Sequence, residues 1–230
     1  MEFNADVASK YDEWYQRAEG KYADALEKEL FQRLIQPQWG QSLLEVGCGT
    51  GHNLEFFREI GLEVAGIDPS KHMLEIAARR LGAGASLSLG QANTLGFGDN
   101  SFDIVALITV LEFLPDPTEA LKEAARVARE KVYIGILNKA SILGITRRIK
   151  GRFRKSIYNQ ARFYTIWGIV GMVRKVLGRV QLTWGSALPL PLGWHGYCHG
   201  VDRFLSFRKN PFSAFLGICF MIGEGSGNER

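Results

Sequence analysis

Cysteine is scarce in this 230-residue chain, which holds three: Cys48, Cys198 and Cys219. Their number is odd, they lie far apart and none belongs to a CxxC pair, so the pattern excludes a disulfide framework and a cysteine-rich zinc module. We therefore expect the protein to work in a reducing compartment and to be cytoplasmic.

Long apolar runs are also missing. The run at residues 212–223 is interrupted and shorter than the about 20 residues that a membrane-spanning helix needs. The first residues, MEFNADVASKYDEWY, begin acidic and lack the apolar segment of a secretory signal. With 46% hydrophobic and 23% charged residues, the composition predicts one globular domain over residues 1–230 that is large enough to bury a core.

Carboxylates are nearly absent from the last part of the chain. Residues 1–138 hold 13 Lys and Arg against 21 Asp and Glu, whereas residues 139–230 hold 15 against 3. The two parts therefore carry net charges of −8 and +12. Two interpretations stay open: the basic part meets an anionic partner, or the opposite charges face each other across the fold.

Short apolar runs alternate along the chain with segments of helical periodicity. The periodicity predicts helices at 11–35, 52–60, 70–81, 117–128 and 163–177. Short apolar runs predict strands at 42–47, 63–68, 85–90, 102–110, 131–137, 179–185 and 213–223. This alternation predicts an α/β fold built from right-handed βαβ units, with a parallel sheet covered by helices on both faces.

A glycine-rich turn, Gly47 to Gly51, follows the first predicted strand and leads into a helix. Glycine tolerates positive φ and has no Cβ, so this turn lets the backbone approach a ligand closely. Asp68 ends the next predicted strand, where a carboxylate can accept hydrogen bonds from both hydroxyls of a ribose. A dinucleotide fingerprint needs a glycine where His52 stands, so we expect a nucleoside-bearing ligand that lacks a pyrophosphate.

The segment LLEVGCGTG (43–51), together with Asp68, resembles the class I S-adenosylmethionine-dependent methyltransferases, over about residues 40–137. The similar branch is methyltransferase type 11, which includes small-molecule and quinone-biosynthesis enzymes. The resemblance implies S-adenosylmethionine as cofactor and a doubly wound Rossmann-like sheet, mostly parallel with an antiparallel last strand. It also divides the single domain into an N-terminal helical lid (1–40), a cofactor-binding core (41–138), a basic insertion (139–162) and a C-terminal helix with strands (163–222).

The resemblance implies cofactor contacts along the edge of the sheet. The glycine turn would pack against the methionine part, Glu45 would lie near its amino group, and Asp68 would hold the ribose. Gln91 and Ala92 would lie beside the adenine, where the family commonly has an acid followed by Ala. Thr109 would lie in the segment after the fourth strand, which in the family borders cofactor and acceptor. The implied set is Glu45, Gly47, Cys48, Gly49, Gly51, Asp68, Gln91, Ala92 and Thr109.

Methyl transfer from a sulfonium needs few catalytic side chains, because in-line placement of the acceptor can supply about 7 to 11 kcal/mol. The family often has a His where Phe113 stands, so a conventional base is absent at that position. The catalytic candidates are Tyr11, in the lid, and His195 and His199, in an aromatic loop. Three roles stay open for this loop: it supplies a proton acceptor, it is a plain surface loop, or it binds zinc. Because His195, Cys198 and His199 lack a fourth ligand nearby, our prediction is that there is no metal site.

Residues 142–157, ILGITRRIKGRFRKSI, place apolar side chains four apart with six cations between them. This pattern predicts a basic amphipathic helix. Such a helix can lie on an anionic membrane surface, bind an acidic substrate, follow a phosphate backbone, or pack its apolar stripe onto the domain.

The sequence therefore predicts methyl transfer to a small-molecule acceptor that is apolar or membrane-associated and quinone-like. We expect peripheral membrane contact through residues 142–157 and no binding to DNA. Two alternatives stay open. One is an RNA methyltransferase, although the chain lacks an N/D-P-P-[FY] base-methylating motif. The other is a non-catalytic regulatory module that binds S-adenosylmethionine.

Overall fold

The computed structural model describes residues 12–141, 161–190, 200 and 202–222, which contain a seven-stranded sheet. In chain order its strands are β1 Ser42–Val46, β2 Glu63–Asp68, β3 Ser86–Leu89, β4 Phe102–Ile108, β5 Ala128–Leu137, β6 Leu182–Ala187 and β7 Phe215–Met221. Across the sheet their order is β3-β2-β1-β4-β5-β7-β6. The first five strands are parallel, whereas β7 is antiparallel to both β5 and β6, which confirms the predicted fold class.

The helices in the described residues are α1 Glu13–Gln16, α2 Ala18–Ile35, α3 His52–Glu59, α4 Lys71–Leu81, α5 Pro117–Val127 and α6 Ile166–Leu177. Three of them begin with a side-chain cap. Ser70, Asp116 and Thr165 each accept a hydrogen bond from a backbone N–H in the first turn of the helix that follows. Such caps satisfy backbone donors that a helix start would otherwise leave unpaired.

Apolar side chains cover both faces of the sheet. On one face, β1 and β4 pack against α2, α3 and α4 through a cluster that includes Phe31, Leu54 and Phe57. On the other face, the same strands pack against α5 and α6 through a cluster that includes Leu121 and Val173. Because successive side chains of a strand point to opposite faces, Leu43 and Leu44 of β1 enter different clusters.

The structure differs from the predicted elements in one interrupted helix and in several boundaries, since α6 begins at Ile166 rather than at 163 and β6 begins at Leu182 rather than at 179. The single helix expected from residue 11 to 35 is interrupted at Arg17, whose backbone is extended, and Trp14 folds back so closely that a Cβ on Gly20 would lie 1.9 Å from the Trp14 carbonyl oxygen. Strand β5 begins at Ala128 rather than at residue 131, because α5 ends at Val127 and leads into the strand without a loop.

Some predicted features lie outside the described residues, among them the whole of the predicted basic helix at 142–157. Within the described ranges, no helix combines the length and the apolar character that a membrane crossing requires.

Candidate cofactor site

The glycine turn after β1 has a backbone conformation that residues with a Cβ rarely adopt. Gly47, Gly49 and Gly51 have φ values of 72°, 53° and 76°. A Cβ on Gly47 would lie 2.5 Å from Cγ2 of Val110, in the segment after β4, whereas a Cβ on Gly49 would meet nothing within 4 Å. The turn is therefore packed on one side and open at Gly49, as a ligand cradle must be.

Asp68, the last residue of β2, is tied to this turn. Its Oδ2 atom accepts a hydrogen bond from the Gly49 N–H at 2.9 Å, and its Oδ1 atom accepts one from the Ser70 N–H at 2.8 Å. Burial raises the pKa of Asp68, although these two hydrogen bonds oppose the shift. The carboxylate is 7% exposed and stands at the edge of the sheet that faces the turn.

Glu45 lies inside the protein below the same turn and is 1% exposed. Its Oε1 atom accepts a hydrogen bond from Nδ2 of Asn53 at 2.8 Å. Its Oε2 atom is buried and has no hydrogen-bond partner in the part of the chain that the structure describes. Burial raises the pKa of Glu45 to about 8, and the nearby Asp68 contributes to the shift. An unpartnered buried carboxylate oxygen of this kind calls for a donor from a ligand.

Gln91 and Ala92 follow β3 at the same edge. The backbone of Gln91 pairs with Thr94, and the Gln91 side chain is exposed, so its amide is accessible from solvent. Ala92, in contrast, is buried in the cluster on the α5 side of the sheet. The Gly90 N–H donates to the Asp68 carbonyl at 3.1 Å and brings the ends of β2 and β3 together.

Thr109 directly follows β4, at the same edge of the sheet. Its φ is 55°, a left-handed conformation that is uncommon for a β-branched residue, and its N–H donates to the Gly135 carbonyl at 2.8 Å. Strained backbone of this sort is often found at ligand sites. The strain at Thr109 lies one residue before Val110, which packs on Gly47.

Glu112 is a buried acid that the sequence interpretation did not single out. It is 1% exposed, its Oε1 atom accepts a hydrogen bond from the Leu137 N–H at 2.7 Å, and its Oε2 atom is buried without a partner among the described residues. Burial raises its pKa to about 7, although the hydrogen bond from Leu137 opposes the shift. One signal was available in the sequence: a lone carboxylate inside the apolar run ITVLEFL.

The comparisons with known proteins agree with this geometry. Residues 44–136 match a family described as a methyltransferase domain. An uncharacterized protein of Methanocaldococcus jannaschii is 32% identical over 171 residues, which are 74% of this chain and 77% of that protein. A crystal structure of a S-adenosylmethionine-dependent methyltransferase from Thermotoga maritima has a TM-score of 0.76 at 25% identity and covers 95% of this chain and 97% of its own. The chain belongs to the class I S-adenosylmethionine-dependent methyltransferases.

This methyltransferase also resembles enzymes with named acceptors, over shorter stretches. A demethylmenaquinone methyltransferase from Renibacterium salmoninarum is 38% identical over 90 residues, which are 39% of this chain and 38% of that protein. The comparisons support an enzyme with S-adenosylmethionine as its cofactor. They favour neither the RNA methyltransferase nor the non-catalytic module.

The site fits the cofactor of this methyltransferase family. S-adenosylmethionine carries a cationic amino group, and the buried Oε2 atom of Glu45 can accept from it. It also carries a ribose, and the Asp68 carboxylate stands beside the open position at Gly49. Positive charge on the ligand would offset the cost of ionising Glu45 in its buried position.

Cys48 belongs to the glycine turn but has a packing role. The thiol is buried against β2, and a Cβ on Gly66 would lie 2.7 Å from its Sγ atom. Burial raises the pKa of the Cys48 thiol. A buried thiol with a raised pKa is a poor nucleophile, so any contact of Cys48 with the cofactor would come from its backbone.

The N-terminal helices attach to the methyltransferase core next to the glycine turn, through residues that the sequence interpretation missed. The Tyr15 ring stacks on the His52 ring with centroids 3.9 Å apart, and His52 Nε2 lies 2.9 Å from Oδ1 of Asp24. Burial raises the pKa of Asp24, but hydrogen bonds from His52 and Lys28 outweigh burial and lower it overall. Polar residues spaced along α1 and α2 gave no sequence signal that they would converge on His52.

The three catalytic candidates, Tyr11, His195 and His199, lie outside the described residues. Within the ranges that are described, no three His, Cys, Asp or Glu side chains come together as they would around a metal ion. Phe113, which replaces the family's frequent His, lies in a short 3₁₀ helix at Leu111–Phe113 after β4.

Proposed function

We propose that S-adenosylmethionine lies along the carboxyl edge of β1, β2 and β4, held by the residues of the glycine turn and the strand ends. Asp68 accepts the ribose hydroxyls, Glu45 accepts from the amino group, and the turn at Gly47–Gly51 packs on the methionine part. Gln91 and Ala92 border the adenine, and Thr109 lies near the sulfonium. The single observation that carries this arrangement is the buried, unpartnered Oε2 atom of Glu45 next to a turn that is open at Gly49.

The bound cofactor supplies a methyl group on a sulfonium, which is electrophilic without further activation. The protein has to place an acceptor in line with that methyl group and exclude water. The segment after β4 suits this task, because residues 109–115 are apolar apart from Thr109 and the buried Glu112. No base is required for an acceptor that is already nucleophilic.

We propose that the acceptor is a small molecule. Hydrogen bonds join the chain after β4 and β5 to residues 161–165, and they join the end of β5 to the residues before β7; these contacts border the edge and support an acceptor that is small. The Arg162 N–H donates to the Glu112 carbonyl at 2.7 Å, and the Lys139 N–H donates to the Tyr164 carbonyl at 2.9 Å. Asn138 donates through Nδ2 to the carbonyls of Pro211 and Ser213, both at 2.7 Å.

The printed names of two similar proteins support a small acceptor. One is a demethylmenaquinone methyltransferase, and the Thermotoga maritima structure is described as a "possible histamine N-methyltransferase". The high positive charge of residues 139–230 supports a membrane-associated, quinone-like acceptor, because cations near a surface draw a protein to anionic lipid. Peripheral membrane contact through residues 142–157 is part of this proposal.

The test is a survey with radiolabelled methyl groups. The wild-type enzyme and S-adenosylmethionine with a labelled methyl group are incubated with separated lipid, small-molecule, RNA and protein fractions, and D68A serves as the variant with impaired cofactor binding. We expect label in the lipid or small-molecule fraction with wild type and far less with D68A. Label confined to RNA or protein would overturn the small-molecule acceptor.

A further inference from the structure

Asp12, just before α1, makes two polar contacts with the region around the glycine turn. Its Oδ1 atom accepts a hydrogen bond from Oγ1 of Thr50 at 2.7 Å, and its Oδ2 atom forms an ion pair with the Arg80 guanidinium. Thr50 lies inside the turn and is 1% exposed, whereas Arg80 is in the last turn of α4. One carboxylate therefore links three segments that are distant in sequence.

Arg80 holds the backbone of the turn as well. Its NH1 group donates to the Thr50 carbonyl at 3.0 Å and to Thr50 Oγ1 at 3.2 Å. The neighbouring residue, Gly49, donates its N–H to Asp68. Two peptide units of the turn are thus held, Cys48–Gly49 by Asp68 from the sheet and Thr50–Gly51 by Arg80 from α4.

The Asp12–Arg80 ion pair is partly shielded from solvent. The side chains are 26% and 19% exposed, so the attraction between them is screened less than at an open surface. A second contact reinforces the attachment of α1, because the Tyr15 ring stacks on His52, two residues after Thr50. Helix α1 is therefore attached on both sides of Gly51.

We propose that Asp12 and Arg80 are positioning residues for cofactor binding: through Thr50 they hold the turn at Gly49–Gly51 in the form that receives S-adenosylmethionine. Neither side chain has to touch the cofactor. A turn that is ordered beforehand loses less conformational entropy on binding, so the pair raises affinity. Linkage is reciprocal, so bound cofactor also strengthens the attachment of α1 to the turn.

The first experiment measures the affinity for S-adenosylhomocysteine by calorimetry in wild type, D12N, R80M and the double variant D12N/R80M. We expect each single variant to bind about tenfold more weakly, and the double variant to bind no more weakly than the worse single variant, because both changes remove one interaction. R80K keeps the charge but has one ammonium in place of the forked guanidinium, so its affinity should lie between wild type and R80M.

A matched control lies at the opposite edge of the sheet. Arg129 forms an ion pair with Asp103, which also accepts hydrogen bonds from the N–H and the hydroxyl of Ser42 at the start of β1. D103N and R129M should lower the melting temperature and leave the affinity for S-adenosylhomocysteine unchanged. If D12N and R80M behave in the same way, the Asp12–Arg80 pair only stabilises the fold and the proposal is wrong.

Hydrogen exchange gives a second measurement, whose result would not change if Asp12 and Arg80 only stabilised the fold. In wild type, saturating S-adenosylhomocysteine should slow amide exchange in residues 13–17, and in R80M this protection should be lost although the turn itself is still protected by ligand. D12N suffices for the test if R80M does not fold, since Asp12 lies outside the sheet and outside α2–α6. Equal protection in wild type and D12N would overturn the proposal.

Discussion

The Oδ2 atom of Asp68 accepts the Gly49 N–H at 2.9 Å, so the acid that ends β2 is bonded to the turn that follows β1. The carboxylate that we propose for the ribose is therefore linked by a hydrogen bond to the turn that we propose for the methionine part. A substitution at Asp68 should therefore act on the cofactor in two ways, through the lost ribose contacts and through a looser turn.

Replacing Asp68 with Ala should weaken the binding of S-adenosylmethionine by about 1 to 3 kcal/mol, because polar groups of the cofactor and the Gly49 N–H lose their acceptor. D68N keeps one acceptor oxygen and should bind with intermediate affinity. Titration calorimetry measures both, with D103N as control. Preferential binding of NAD to wild type would contradict the site assignment.

Glu45 should make cofactor binding release a proton. Its pKa is raised to about 8 in the free protein, so the side chain is mostly protonated at pH 7, and a cationic amino group beside it would favour the ionised form. Affinity should therefore rise with pH between about 6 and 7.5, below the pKa of a free α-amino group near 8. Calorimetry in buffers of different ionisation enthalpy counts the protons. E45Q should release none, and a wild type that also releases none would refute the Glu45 contact.

Glu112 should make the fold less stable as pH rises. An acid whose pKa is about 7 in the folded state and near 4.5 when unfolded favours folding below the lower value and loses that contribution as pH rises through 7. E112Q retains an acceptor for the Leu137 N–H without titrating, so it should gain stability relative to wild type between pH 5 and 8. E112A also does not titrate but removes the acceptor, so it should be about 1 to 3 kcal/mol less stable than E112Q at either pH. Urea unfolding at pH 5.5 and pH 8 separates these effects.

Gly47 should tolerate no side chain, for reasons of both φ and space. In G47A the new Cβ would lie 2.5 Å from Val110, so unfolding free energy should fall by more than the about 1 kcal/mol expected from positive φ alone. G40A is the matched control, because Gly40 has φ 80° and nothing within 4 Å of its Cβ position. Equal losses in the two variants would mean that Val110 moves away without cost.

Residues 142–157 should bring the enzyme to anionic vesicles, at about 1 kcal/mol per cation near the surface. Charge reversal at Arg147, Arg148 and Arg152 should release the protein and leave cofactor affinity unchanged. Cosedimentation at low and high salt is the measurement, since the attraction should weaken with salt. If wild type fails to bind even at low salt, a soluble acidic acceptor explains the basic part of the chain better.

Local sequence patterns predicted the strands and helices well, because hydrophobic periodicity and helix caps depend only on residues that are close together in the chain. They placed β2 at Glu63–Asp68 and put Asp68 at its end. They missed the break at Arg17, which depends on the close approach of Trp14 to Gly20. They also missed Asp12 with Arg80 and the burial of Glu112, because those depend on contacts between segments far apart in the chain.

Strand β7 pairs on both sides, with β5 and with β6, and among the described residues β6 has no other neighbour in the sheet. During synthesis, β6 leaves the ribosome about thirty residues before β7, yet it cannot join the sheet until β7 has arrived. Until then β5 is an open edge with unpaired backbone groups, which is the kind of surface that recruits other strands. A nascent chain stalled before residue 215 would therefore already contain the glycine turn and Asp68 but would be prone to aggregate. A chaperone that covers strand edges would protect it.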